Sequence, residues 1–268
     1  MPFADLGDFT MFYTDEGAGP PVVLIHGYTC DGSDWSWQTP ALKDKHRVIT
    51  VDLRGHGHST APEGGYTIPQ FAEDVASLLK RLETGPAVVM GHSMGGAVAA
   101  QMAATHPELV RATVSVDSAL GMDPASRGML EETLKAVKTP AGHDVVAGFF
   151  GSAFYPPASP PHLAALHARR LRALPHHVLA GALAALAVDE TQVSLRPESE
   201  ALLAKVKTPL LTFRAGNEDP SAVAAWERAQ STNPYSKAVA WEGTGHFLHQ
   251  ERPAEFNAIV EAWIAGLP

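Results

Sequence analysis

Residues 87–104 constrain the fold more than any other stretch of the chain. Ala87-Val88-Val89-Met90 is a continuous apolar run that suits a strand buried on both faces. Residues 97–104 are nearly all small or apolar and read as a helix. Between them lies Gly91-His92-Ser93-Met94-Gly95-Gly96. A strand that becomes a helix across so few residues must turn sharply, and glycines at 91 and 95 remove the Cβ atoms that would collide there. Ser93 is then held at the apex, with its Oγ pushed out of the sheet. Both flanks are needed for this reading, because a Gly-rich turn alone would carry no such constraint.

The rest of the chain repeats the alternation. Two short segments open the chain at 3–6 and 10–13, of which the second alternates well enough to be a strand; further strands are expected at 22–25, 48–51, 87–90 and 112–116, with helices near 35–45, 68–82 and 96–105 between them. The rhythm stops after about Ala119. From 121 to about 207 the pattern is helical and proline-punctuated, clearest at 163–174 and 177–186. It then resumes with strands at 209–213 and 238–241 and helices at 222–230 and 253–264. Alternating strands and helices imply an α/β fold with a mostly parallel, doubly wound sheet. Residues 1–120 and 208–268 are therefore expected to form one core, and 121–207 an inserted helical cap.

Bulk properties remove several classes. Hydrophobic residues make up 45% of the 268 and charged residues 18%, enough for a sizeable core. The net charge of −9 disfavours a nucleic-acid partner, and the lone Cys30 excludes an internal disulfide. Neither a signal-peptide pattern nor an apolar run of membrane-spanning length is visible, so a cytoplasmic protein without a membrane partner is expected. No Cys/His/Asp cluster has metal-ligand spacing and no phosphate loop is present, so neither metal nor cofactor is expected.

A serine hydroxyl attacks only when a base stands within hydrogen-bond reach. His246, in Gly243-Thr244-Gly245-His246-Phe247, follows the last expected strand, where loops face the crevice of such a sheet. His249 is expected to begin the closing helical region instead. The orienting acid has two candidates. Asp219 lies on the loop after 209–213 and is preferred; Asp117 ends the strand at 112–116 and is the alternative. Glu218 is one position away from the first. A tetrahedral intermediate also needs two N–H donors, for which Met94 follows the serine and Tyr28 lies in His26-Gly27-Tyr28-Thr29-Cys30 after the strand at 22–25. The Tyr28 ring could add a wall or a hydroxyl contact to the pocket. Phe149, Phe150, Phe154, Tyr155 and Leu183 are candidate cap linings, and Trp35, Trp37 and Cys30 could contribute.

Five segments together carry a resemblance. They are His26-Gly27, Asp52-Leu53-Arg54-Gly55-His56-Gly57-His58-Ser59, the Gly91–Gly96 run, Gly216-Asn217-Glu218-Asp219 and Gly245-His246. With these the chain resembles the α/β-hydrolase superfamily, in its capped serine esterase, lactonase and cofactor-free perhydrolase subgroup. The resemblance implies a Ser93, acid, His246 order and an oxyanion hole of Tyr28 and Met94. It further implies a small-molecule ester or lactone as substrate. It places the acid at Asp219, or at Asp117 as in some members, and treats residues 52–59 and His92 as structural. Perhydrolysis, carbon–carbon hydrolysis and a non-catalytic ligand receptor are the alternatives.

Overall fold

The computed structural model describes residues 2–216 and 219–268. Eight strands form one sheet: β1 (Phe3–Asp5), β2 (Thr10–Glu16), β3 (Pro21–Ile25), β4 (Arg47–Val51), β5 (Ala87–His92), β6 (Val110–Val116), β7 (Leu210–Gly216) and β8 (Lys237–Glu242). Their order is β1-β2-β4-β3-β5-β6-β7-β8. The β1–β2 and β2–β4 pairs are antiparallel and the remainder are parallel. Three helices belong to the first half, α1 (Thr39–Leu42), α2 (Ile68–Arg81) and α3 (Met94–Thr105). Five lie between β6 and β7: α4 (Arg127–Val137), α5 (Gly142–Ala153), α6 (Pro161–Ala173), α7 (His176–Ala187) and α8 (Arg196–Leu203). Three close the chain, α9 (Pro220–Ala229), α10 (Leu248–Glu251) and α11 (Pro253–Ala265).

The central strands are apolar on both sides because both faces are covered. Val23, Ile25, Ile49, Val51 and Val89 face the cluster that includes α2 and α3. Val22, Leu24, Val48, Met90, Val114 and Phe213 face the other, with Trp35, Leu248, Phe256, Val260 and Trp263. One difference from the sequence pattern is local. The helix expected over 35–45 is a 3-10 turn at Gly32–Trp35 followed by the four-residue α1, which starts at Pro40's turn. Between β6 and β7, α4 packs on α5 and α7 and α5 on α6 and α7, whereas α8 returns to pack on α3.

Strand order locates the site. From β3 the chain winds outward to β4, then crosses back so that β5 lies on the other side of β3. Ligands bind α/β sheets at such a reversal, outside the carboxyl ends of the strands. Here those ends are the loop after β3 and the turn after β5, which hold Tyr28 and Ser93. The loop after β4 is braced beside them. Buried Arg54 makes a two-pronged pair with Asp74, at 2.8 Å for both bonds, and also pairs with Asp8. Among the described residues no helix is long and apolar enough to cross a membrane.

The core also encloses imidazoles. His249 is fully buried, lies tilted against Trp35 with ring centroids 4.6 Å apart, and has neither ring nitrogen bonded among the described residues. Burial pushes His249 and His56 down to about 3. Both stay neutral in the fold but would take up protons in the unfolded chain near the ordinary value of 6.5. Their contribution is therefore complete above pH 6.5 and is lost as pH falls from there toward about 3. The melting temperature is expected to drop across that window. His249→Phe, which keeps the ring but cannot titrate, is expected to flatten the drop measured by thermal unfolding from pH 7 to pH 4.

Candidate functional site

Ser93 occupies the corner between β5 and α3 with φ 52° and ψ −117°, a conformation costly for any side chain. The surroundings hold it there. Its N–H donates to Val116 O at 3.0 Å, and its carbonyl accepts from Ala119 N–H at 3.0 Å. The corner is as tight as the sequence suggested. A Cβ at Gly91 would stand 2.0 Å from Gly95 O, and one at Gly95 would stand 2.3 Å from Ile25 O.

Ser93, His246, Asp117, Tyr28 and His92 line one cavity of about 270 Å³ beneath α4, α5 and α7. His246 Nδ1 lies 2.6 Å from Asp117 Oδ2, with both side chains largely buried. A carboxylate at that distance accepts the Nδ1 proton and leaves Nε2 as the free acceptor. Ser93 Oγ and the His246 ring share the cavity wall without a direct hydrogen bond, a contact that in such sites commonly tightens once substrate binds. The other oxygen of Asp117 accepts from Ala215 N–H at 3.2 Å, so the carboxylate is held from β7 as well.

This pairing corrects the preferred acid. The Asp219 carboxylate faces away and accepts from Ala222 N–H at 3.0 Å as the N-cap of α9. That is the ordinary use of an aspartate one residue before a helix that begins with proline. Asn217 and Glu218 lie outside the described residues.

Two N–H groups, those of Met94 and Tyr28, have their directions set through the carbonyl of the same peptide. Met94 opens α3, so its N–H has no carbonyl of a preceding turn. Its peptide partner, Ser93 C=O, is anchored by Ala119, which turns the Met94 N–H the opposite way. Tyr28 is arranged similarly. His26 Nδ1–H donates to Gly27 O at 2.8 Å while its Nε2 accepts from Leu53 N–H at 2.9 Å. Fixing the Gly27 carbonyl aims the N–H at the far end of the same trans peptide, that of Tyr28, away from His26. The Tyr28 hydroxyl does not reach the cavity for chemistry. It donates to Leu179 O of α7 at 2.8 Å, and its ring serves as a wall.

The histidine loop is held by His92, expected from its motif to be structural, and by Glu251 and Phe154, whose part in holding the loop no motif indicated. His92 Nε2–H donates to His246 O at 3.0 Å. Burial, with His246 and His249 nearby, pushes His92 well below the ordinary range, so it stays neutral. Glu251 accepts from Gly245 N–H at 3.1 Å and from Ser159 Oγ at 2.8 Å. Phe154 stacks on the His246 ring at 4.2 Å, and its carbonyl accepts the His246 N–H at 3.1 Å. The signal for these contacts lies in tertiary packing and not in spacing along the chain.

Of the expected linings, Phe149, Phe150, Phe154 and Leu183 face the cavity. Tyr155 instead donates to His167 Nδ1 at 2.7 Å and stacks on Phe247. Trp35 is buried on the opposite side of the sheet and Trp37 is partly exposed. Cys30 is buried beside Asp34, and its thiol is pushed up by that burial first and by the Asp34 charge second.

Comparison with known proteins agrees with this architecture. The model of the alpha/beta hydrolase family matches residues 22–259. A pimeloyl-[acyl-carrier protein] methyl ester esterase from Aeromonas hydrophila is 30% identical over 253 residues, covering 92% of this chain and 96% of that protein. A 2-(acetamidomethylene)succinate hydrolase from Mesorhizobium japonicum is 28% identical, covering 93% and 89%. The structure of a thermophilic esterase from Thermogutta terrifontis superposes with a TM-score of 0.83 at 26% identity, covering 98% of this chain and 96% of that one.

Tyr28→Phe keeps the ring and the main-chain N–H but removes the second hydrogen bond to the Leu179 carbonyl, which also accepts from its own helix. Stability is expected to fall by about 0.5–1.5 kcal/mol in denaturant unfolding.

Proposed function

We propose that this chain, which belongs to the alpha/beta hydrolase family, is a serine hydrolase that cleaves a carboxylic ester or lactone through an acyl-enzyme. The observation that carries the reading is the 2.6 Å Asp117–His246 contact at the wall of the cavity that also receives Ser93. Asp117 holds the Nδ1 proton, so His246 Nε2 takes the Ser93 proton as Oγ attacks the carbonyl carbon. Asp117 stabilises the resulting imidazolium without itself accepting the proton.

As the carbonyl oxygen gains charge, the N–H groups of Tyr28 and Met94 receive it. One such donor contributes roughly 2.7–4 kcal/mol to the transition state. His246 then passes its proton to the alkoxide as the ester C–O bond breaks, leaving the acyl group on Ser93. Water, deprotonated by His246, attacks the acyl carbon, and collapse returns a proton to Ser93 Oγ and frees the acid. Helices α4, α5 and α7 act as a cap over the serine, excluding bulk water from the developing charge.

The names of the Aeromonas and Thermogutta proteins, both esterases, support the ester as the bond attacked. The acid assignment makes the reading specific to this chain. Asp117→Asn is expected to lower kcat on a simple p-nitrophenyl ester by about 10⁴-fold. Asp219→Asn keeps a good helix cap and is expected to leave kcat essentially unchanged. Ser93→Ala is expected to remove turnover in the same assay. A crippled Asp219→Asn beside an active Asp117→Asn would overturn the assignment.

A further inference from the structure

The cavity beside Ser93 is unusually poor in usable charge. Among the described residues that line it, Asp117 and Arg214 are the ones that carry formal charge apart from histidines. Asp117 is engaged by His246. Arg214 is turned inward and buried. Its Nε donates to Glu227 at 2.9 Å, its Nη1 to Ser118 O at 2.6 Å, and its Nη2 to Ser118 Oγ at 3.2 Å and Leu120 O at 3.1 Å. Glu227 is fully buried and also accepts from Ser115 Oγ at 2.5 Å and Thr212 Oγ1 at 2.6 Å. Arg214 and Glu227 thus neutralise each other inside a closed network, and no lysine or second arginine reaches the wall.

Apart from Ser93, Ser118, Thr133, His92 and His246, the remaining wall is hydrocarbon and sulfur. Leu130, Val146, Phe150 and Leu183 form its depth. At the other end, Met129 and Phe149 line the cavity while standing 55% and 44% exposed. Both border this one cavity, so its opening is apolar as well as its depth. Together they make an apolar path from Ser93 to solvent.

We propose that the substrate presents an uncharged, apolar chain to this cavity, long enough to extend from the reacting carbonyl to the Met129–Phe149 mouth. This rests on the ester-hydrolase reading and narrows it. A terminal carboxylate within the cavity would be desolvated with no cation to meet it, a large penalty. Each added methylene leaves water for apolar wall and should gain about fourfold in kcat/KM until the chain emerges at the mouth.

The test uses three sets of esters with the full chain. They are p-nitrophenyl esters of straight-chain acids, acetates of straight-chain alcohols, and p-nitrophenyl monoesters of dicarboxylic acids matched in length to the first set. Expected is a rise of kcat/KM with chain length in at least one of the first two sets. The matched ω-carboxylate is expected to be worse by at least about 100-fold. Phe149→Asp, at the exposed mouth, is expected to lower the ratio of long-chain to short-chain kcat/KM. Thr133→Arg, which places a cation on the wall, is expected to raise the ω-carboxylate relative to the neutral ester. Flat chain-length dependence in both series, or an ω-carboxylate hydrolysed as fast as its neutral match, would overturn the proposal and leave ester hydrolysis standing. Absence of Ser93-dependent hydrolysis of every ester would instead overturn the underlying reading.

Discussion

The corner at Ser93 is the constraint on which the arrangement depends. A serine at φ 52° is held only because its neighbours allow no relaxation. Val116 accepts its N–H and Ala119 donates to its carbonyl, so the end of β6 brackets the turn after β5 on both sides. Asp117 sits between those two residues. The same hydrogen bonds that keep the serine strained therefore deliver a carboxylate one strand away from it. They also turn the Met94 N–H outward. Ser93, Asp117 and the Met94 N–H thus belong to a single bonded unit, and only His246 and Tyr28 must be brought in from elsewhere.

Those two arrive through separate supports. His26 bridges the loops after β3 and β4 and sets the Gly27–Tyr28 peptide. His92 and Glu251 hold the loop that carries His246. The inserted helices are engaged in both supports. Tyr28 Oη bonds α7, and Phe154, just past α5, covers the His246 ring and accepts its N–H. The helices between β6 and β7 are in this way tied to Tyr28 and His246 and not merely laid above them. A deeper link joins α6 to the core, where buried Asp34 pairs with Arg170 and lies 3.5 Å from His167. Against the upward push of complete burial, His167 first and Arg170 second hold its carboxyl far below the usual range.

Much of this was legible in the chain because the informative features are local. Val22–Ile25 and Ala87–Met90 read as strands because both faces of the central sheet are covered, which makes the apolar runs continuous. The turn at Ser93 read correctly because close packing there demands glycine. The choice between the two acids is not legible in the same way, and the reason is topological. Asp117 and Asp219 both follow strands of the parallel sheet, and order along the chain does not say which loop lies nearer the histidine. What separates them is that Asp117 emerges beside the Ser93 turn, whereas Asp219 precedes Pro220 and caps α9. The roles of His26, His92 and Glu251 were equally hidden, since each acts on backbone groups far away in sequence. The span at 35–45 is not one helix because Pro40 sits in the first turn of α1 and restarts it.

The direct test of the central claim is covalent. Incubation of the whole protein with a fluorophosphonate, followed by peptide mass mapping, reports which side chain is the activated nucleophile. The account predicts a single phosphonyl adduct on the peptide containing Ser93. An unmodified Ser93, or an adduct carried by a different residue, would contradict it.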